Sequence, residues 1–447
     1  MQNRLFRTAT LSAFALLMAV LAIAPMATAQ DAGITLDFYY PTAVDGPIAE
    51  NMQRYADQFH ELHPDITVKP VYTGSYTQTR DTILTEIASQ DMIGDVAVML
   101  SNDLFSFIEE GSIVPAQDFI DAMDDGQAFV DDFFQAMMLN STDETGKIWS
   151  IPFQRSTPLL FYNADLLSEA GYTEAPKNNE ELLEIAQKLT TDTRSGLLMP
   201  VAGVFPGWLF QSFAAAYGKP LVDADPTQVY VDTPESLAAL EYVTKLGISQ
   251  AEGGFGVGPL GGSAWGDTPT AFTSGQAAMI YHTSGSLTSI LANADFEVGV
   301  GYLPSGPAGA DGTGYGTPTG GGNLYIFNDG SKSQTELDAA WLWTEYLASP
   351  EIQADWGASN GYIAARQSSW DLEPLKSLAE EHPQYLVARD QLAFAVKEFT
   401  GYRTIDLQNI LNTSLSKVIS GEVPLTDAQT VLTDAQTQMD ALLEEYR

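Results

Sequence analysis

The 447-residue chain has no cysteine, so neither a disulfide nor a thiolate-held metal site is available to it. Cations are scarce too: 20 Lys and Arg stand against 58 Asp and Glu, a formal net charge of −38. Nucleic acid and anionic membrane both call for clustered cations, so neither is expected as a partner. So acidic a balance reports solubility and says nothing for a cationic substrate. Beyond residue 24 no apolar run approaches the roughly 20 residues of a membrane-spanning helix. Internal repeats and low-complexity tails are missing as well.

Catalytic motifs also fail on inspection. Gly256-Val257-Gly258-Pro259-Leu260-Gly261 has the spacing of a dinucleotide loop but no strand–turn–helix context. Ser414-Leu415-Ser416-Lys417 fits SxxK inside a predicted helix, without companion motifs. His60-Glu61-Leu62-His63 lacks the HExxH spacing and ends an amphipathic helix. GxSxG does not occur. Paired carboxylates stay open in so acidic a chain, which keeps a secreted glycoside hydrolase as the rival from another class. No cofactor or metal is expected.

What is present begins with an export signal. Arg4 and Arg7 precede the apolar stretch Leu11 to Ala24, and Ala27-Thr28-Ala29 supplies small residues for cleavage. Residues 1–29 are therefore read as a signal peptide that leaves Gln30 first. Without cysteine at that site a lipid anchor is excluded, and the mature protein is expected to be exported, soluble and monomeric.

From Ile34 the pattern alternates. Strands are predicted at Ile34–Tyr40, Ile66–Val71 and Val96–Leu100. Between the first two lies a helix with Ile48, Met52, Tyr55, Phe59 and Leu62 on one face, and between the second and third one with Ile83, Leu84 and Ile87 inward. Such alternation predicts a parallel sheet flanked by helices, with ligand beyond the carboxyl ends of the strands. Tyr39, Tyr40, Tyr76, Ser101, Asn102 and Asp103 lie there. Farther on, Leu197 to Trp208 reads as a strand ending in Phe205-Pro206-Gly207-Trp208. More strands are predicted at 277–281, 296–303 and 323–327, a glycine-rich loop at 305–322, and long helices at 334–348, 406–420 and 426–446.

One stretch stands apart. In Pro152–Asn163, PFQRSTPLLFYN, the polar run Gln154-Arg155-Ser156-Thr157 interrupts two apolar strands. Core packing does not account for polar groups pinned between strands, because buried polar groups need partners. Either a strand crossing or edge bulge with solvated side chains, or a crossover between two lobes whose polar residues face a ligand, would account for them, and the second is expected.

PFQRSTPLLFYN, TSGQAAMIYHTSGSL at 273–287 and AWLWTEYLASPEIQADWGASNGYIAAR at 340–366 together resemble the family 1 extracellular solute-binding proteins of ABC importers. Tyr72-Thr73-Gly74-Ser75-Tyr76 is similar to the YxGxY of the glycerol-3-phosphate-binding branch. The resemblance runs from Ile34 to the last helix. It implies an α/β, two-lobed periplasmic binding protein fold (type II), each lobe a mostly parallel sheet flanked by helices. Three hinge crossovers are placed near 153–157, 300–305 and 361–366, giving lobes of residues 31–153 plus 304–361 and 156–300 plus 365–447. A small polyhydroxylated solute would be captured between the lobes and delivered to a membrane permease with its ATPase.

Carried over residue by residue, the resemblance implies ligand contacts from Tyr76, Ser156, Thr283, Gly321 and Tyr362, with Trp208 as a cleft tryptophan. Two positions depart from the branch. Its hydroxyl-binding carboxylate falls on Ser101, and its phosphate-facing arginine falls near Gln408, with Arg403 and Arg155 as candidates to replace it. Tyr40 and Asp103 complete the predicted site. Aromatic faces with hydroxyl and amide donors suit a sugar or polyol. Glycerol-3-phosphate or a glycerophosphodiester is the alternative if an arginine reaches the ligand.

Overall fold

The computed structural model describes residues 33–44, 46–90, 94–201, 205–304 and 316–447. The export signal and most of the glycine-rich loop lie outside them.

β1 (Ile34–Tyr40), β2 (Ile66–Tyr72) and β3 (Val96–Leu100) alternate with helices Ile48–Leu62 and Tyr76–Ser89. Each helix carries the chain back across the sheet, so β2-β1-β3 pair in parallel. Ile48, Met52, Tyr55 and Phe59 are buried at helical spacing. Leu62, expected on that face, is 65% exposed in the last turn. The second helix opens on a reciprocal cap: Ser75 Oγ accepts from the Gln78 N–H, and Gln78 Oε1 accepts from the Ser75 N–H. That cap fixes Tyr76 as the first helical residue beyond β2.

Parallel pairing stops there. β4 (Ile113–Val114) and β5 (Ile151–Ser156) join the sheet through β10 (Gly320–Phe327), which runs antiparallel to β3, β4 and β5. The second sheet, β7 (Met279–Thr283), β6 (Pro158–Asn163) and β8 (Val298–Gly301), is antiparallel at each strand pair. Among the described residues, parallel bridges to it come only from Ser195 and Leu198. Among the described residues of these two sheets, the expectation of mostly parallel pairing thus holds only for β2-β1-β3. β10 returns to the first sheet after the chain has passed through the second, and nothing then forces it into the direction of β1.

Three passages link the sheets. Thr157 alone separates β5 from β6; the chain leaves β8 toward β9 (Thr317–Pro318) and β10; and residues 361–366 follow helix Pro350–Asn360. At the third passage Ile363 donates its N–H to the Arg155 carbonyl at 2.8 Å. β9 pairs in parallel with β11 (Ala395–Val396).

Alternation along β6 divides the core. Leu159 and Phe161 face one apolar cluster and Leu160 the other, as a strand's two-residue period requires. The larger cluster packs the first sheet around Phe38, Phe59 and Trp343, then continues through Phe153, Trp356 and Ile363 onto one face of the second sheet. The other cluster lies within residues 160–443. The second sheet therefore shares one face with the passages and keeps a core of its own on the opposite face.

The strand predicted over Leu197 to Trp208 gives way to a helix in its last four residues; Leu198 and Pro200 make isolated bridges, and residues 202–204 lie outside the described ones. Phe205–Ala216 is helical, with Pro206 in the first turn, where its missing N–H costs no intrahelical bond. The Gly207 N–H is taken by Asn412 Oδ1 at 2.9 Å.

Candidate ligand-binding site

A cavity of about 400 Å³ lies beyond the carboxyl ends of β1, β2 and β3, where Thr42, Tyr76 and Asn102 contribute. Its opposite wall comes from Gly207, Trp208 and Gln211 at the start of helix Phe205–Ala216, and from Gln408 and Asn412 on helix Thr404–Ile419. Ser156, Thr283, Gly321 and Tyr362 come to it from the ends and passages of the sheets.

The aromatic walls are held from behind. Gln154, fully buried, donates Nε2 to the Tyr76 hydroxyl at 2.7 Å. Tyr362 shares those two neighbours and stacks on Trp356, with centroids 5.7 Å apart and planes 4° from parallel. Burial raises the pKa of both phenols, so they stay neutral donors. Trp208 lies over Gly320, where an added Cβ would fall 2.3 Å from the indole nitrogen. Gly321, at φ +93°, would drive a Cβ to within 2.1 Å of the Gln154 carbonyl oxygen, so glycine alone lets β10 cross β5 there.

The predicted residues that stay off the cavity wall do so for visible reasons. Tyr40 is 4% exposed and packs between the rings of Phe38 and Tyr72. Asp103, fully buried, pairs with Arg80 at 3.1 Å. Ser101, also fully buried, commits its hydroxyl to Glu398. Arg403 sits at φ +56° with its guanidinium on Asp406 at 2.6 Å and its N–H on Glu109. Arg155 is buried, donating to Asn323 Oδ1 and to the carbonyl and hydroxyl of Thr319. Among the described residues, no Lys or Arg lines the cavity.

Sequence reasoning missed Glu398. The resemblance leaves Ser101 where it implies a carboxylate, and the structure brings Glu398 to that serine. Ser101 Oγ donates to its Oε2 at 3.2 Å and Asn102 Nδ2 to its Oε1 at 3.1 Å. Asn140 clamps the backbone of Glu398 from both sides: it accepts the N–H at 2.9 Å and donates to the carbonyl at 3.1 Å. The aromatic, hydroxyl and glycine texture of Phe399-Thr400-Gly401-Tyr402, like that of Tyr72–Tyr76, was the available signal. Trp265, Gln211 and Asn412 also line the cavity and were not anticipated.

Burial pushes the Glu398 carboxyl up to about 8, with the Asp103 charge adding and Arg155 opposing. The folded state therefore keeps a proton that the unfolded chain loses near 4.5. Between those values the folded state binds more protons, so this group's contribution to stability falls as pH rises. Glu398→Gln is expected to remove that slope. Its melting temperature should match wild type near pH 5 and exceed it increasingly up to pH 8; parallel pH profiles for the two proteins would refute the assignment.

Comparison with known proteins agrees with this architecture. The family described as bacterial extracellular solute-binding protein matches residues 45–354, more than two-thirds of the chain. The sn-glycerol-3-phosphate-binding periplasmic protein UgpB of Pectobacterium atrosepticum is 25% identical over 388 residues, covering 84% of this chain and 83% of the relative. The maltose-bound structure of MalE3 from T. maritima superimposes with a TM-score of 0.77 at 20% identity, over 92% of this chain and 100% of that one. UgpB from Mycobacterium tuberculosis in complex with glycerophosphocholine gives 0.76 at 21% identity, over 92% and 99%. The chain belongs to the bacterial extracellular solute-binding proteins, a family of binders and not of enzymes.

Proposed function

We propose that this protein is the periplasmic binding component of an ABC importer. It would act as a monomer that closes on a small neutral sugar or polyol and hands it to the membrane permease with its ATPase. In this reading the lobes are residues 31–153 with 304–361 and 156–300 with 365–447, and they move about the three passages as hinged lobes do.

One observation carries the choice of ligand. Among the described residues, Asn102 Oδ1, Gln408 Nε2 and Trp208 Nε1 are buried without a hydrogen-bond partner, and all three residues line the cavity. Buried polar atoms are rarely left unpaired. These include an acceptor and two donors, a set that hydroxyl groups satisfy because each both gives and takes a hydrogen bond. Tyr76, Trp208 and Tyr362 add ring faces for the C–H side of a sugar.

The alternative, glycerol-3-phosphate or a glycerophosphodiester, draws support from the names of the curated relatives. A phosphate, however, is held best by a cationic fork such as an arginine's. Arg403 and Arg155 are both committed away from the cavity, and Glu398 adds a carboxyl beside it. A secreted hydrolase has no support from the family.

A thermal-shift panel tests the reading. A neutral sugar or polyol at a hundred times its Kd is expected to stabilise the fold by about 2.7 kcal/mol, while glycerol-3-phosphate and inorganic phosphate leave the melting temperature unmoved. A shift with glycerol-3-phosphate and with no sugar or polyol would overturn the choice.

A further inference from the structure

Beyond Trp265 lies a second hollow of about 590 Å³. The two hollows share Thr42, Ala43, Val44 and Trp265 in their walls. Trp265 is the partition, and it is held on several sides. Its Nε1 donates to the Ala43 carbonyl, in the loop after β1, at 3.1 Å. Its own carbonyl faces His282 Nε2 at 3.1 Å. Its ring lies against the His282 imidazole, centroids 4.0 Å apart, and its edge meets Trp208 at 6.0 Å.

The second hollow has the chemistry to receive a sugar. Thr270, Thr273, Ser286, Ser289 and Asn293 line it with hydroxyls and an amide. His282, 1% exposed, is also on its wall, and its Nδ1 has no partner among the described residues. A carbonyl only accepts, so Nε2 carries the proton toward Trp265 and Nδ1 is an unused acceptor. Burial keeps the ring neutral, with its pKa lowered to about 4.

We propose that Trp265 sets the length of the ligand: it ends the occupied cavity as a fixed wall, so the closed protein takes a solute that fills the first hollow and rejects one extended past the indole. This rests on the sugar-or-polyol reading above. A further sugar unit crossing the wall would have to displace the indole from both the Ala43 carbonyl and the His282 ring, giving up a half-buried hydrogen bond and a ring contact. Such a penalty against the longer competitor is a source of specificity.

Calorimetric titration of the full chain with glucose, mannose, galactose and xylose oligosaccharides of one to four units tests the proposal. In the series that binds, wild-type affinity is expected to peak at a short member and fall at least tenfold on adding the next unit. Trp265→Ala should abolish that fall, binding the longer member at least tenfold more tightly than wild type does. Trp265→Phe, which keeps a ring but no N–H, should retain part of it. Wild-type affinity that holds or rises through all four lengths would overturn the proposal while leaving the sugar reading intact. An unchanged ratio of long to short in Trp265→Ala would do the same. Binding of no saccharide in any series would overturn the sugar reading, and the length selection with it. The wild-type series decides the matter even if the alanine variant does not fold.

Discussion

Trp356→Ala is expected to lower stability by about 3–5 kcal/mol and to weaken solute binding in the same variant. Trp356 is fully buried. It lies between two rings, Phe153 at 4.8 Å and 21° and Tyr362 at 5.7 Å and 4°. Phe153 belongs to β5 just before the first passage, and Tyr362 lies within the third. The indole thus packs two passages together and backs the tyrosine that forms a cavity wall. Alanine leaves a void that this cross-braced region cannot close without moving Tyr362. Denaturant unfolding reads the first effect as a lower midpoint at unchanged slope, and titration with the identified solute reads the second. Stability lost with affinity intact would mean that Tyr362 holds its place without its neighbour.

Trp208→Ala is expected to weaken binding while leaving stability largely intact. Trp208 is half-buried, and its indole nitrogen is one of the unpartnered donors on the cavity wall. Removing it deletes a ring face and a donor together, the kind of truncation that costs about 2 kcal/mol or more at a binding hot spot. That is roughly a 30-fold loss of affinity, with a stability change well below that of Trp356→Ala. Arg403→Ala is the control. Its guanidinium pairs with Asp406 and Glu445 at the surface, so affinity should stay within twofold of wild type. If Arg403→Ala abolished binding and Trp208→Ala did not, the ligand would be an anion held elsewhere than the cavity.

Local signals made much of this fold readable. The stripe Ile48, Met52, Tyr55 and Phe59 announces its helix, and the alternation of short apolar strands with such helices announces β2-β1-β3. The direction of β10 was not readable, because pairing geometry depends on where the chain has been since β5, and no local period records that. The end of the strand predicted over Leu197 to Trp208 misled for a related reason: its last four residues, which open the helix, are too few for helix and strand periods to differ.

The site divides in the same way. Tyr76, Ser156, Trp208, Thr283, Gly321, Tyr362 and Gln408 meet at one cavity. Tyr40 ends β1 much as Tyr76 lies just beyond β2, but alternation along β1 puts it with Leu36 and Phe38 in the core. Glu398 owes its place to Ser101, Asn102 and Asn140, each more than 250 residues away in the chain. No spacing or motif encodes a contact of that kind, and only the folded chain reveals it.

A crystal structure with the solute that gives the largest thermal shift is the most direct measurement. It is expected to show a neutral polyhydroxylated molecule between Tyr76, Trp208 and Tyr362, within hydrogen-bonding reach of Glu398, Asn102 and Gln408, and stopping at Trp265. A solute bound outside this cavity, or a phosphate gripped there by Arg155 or Arg403, would contradict it.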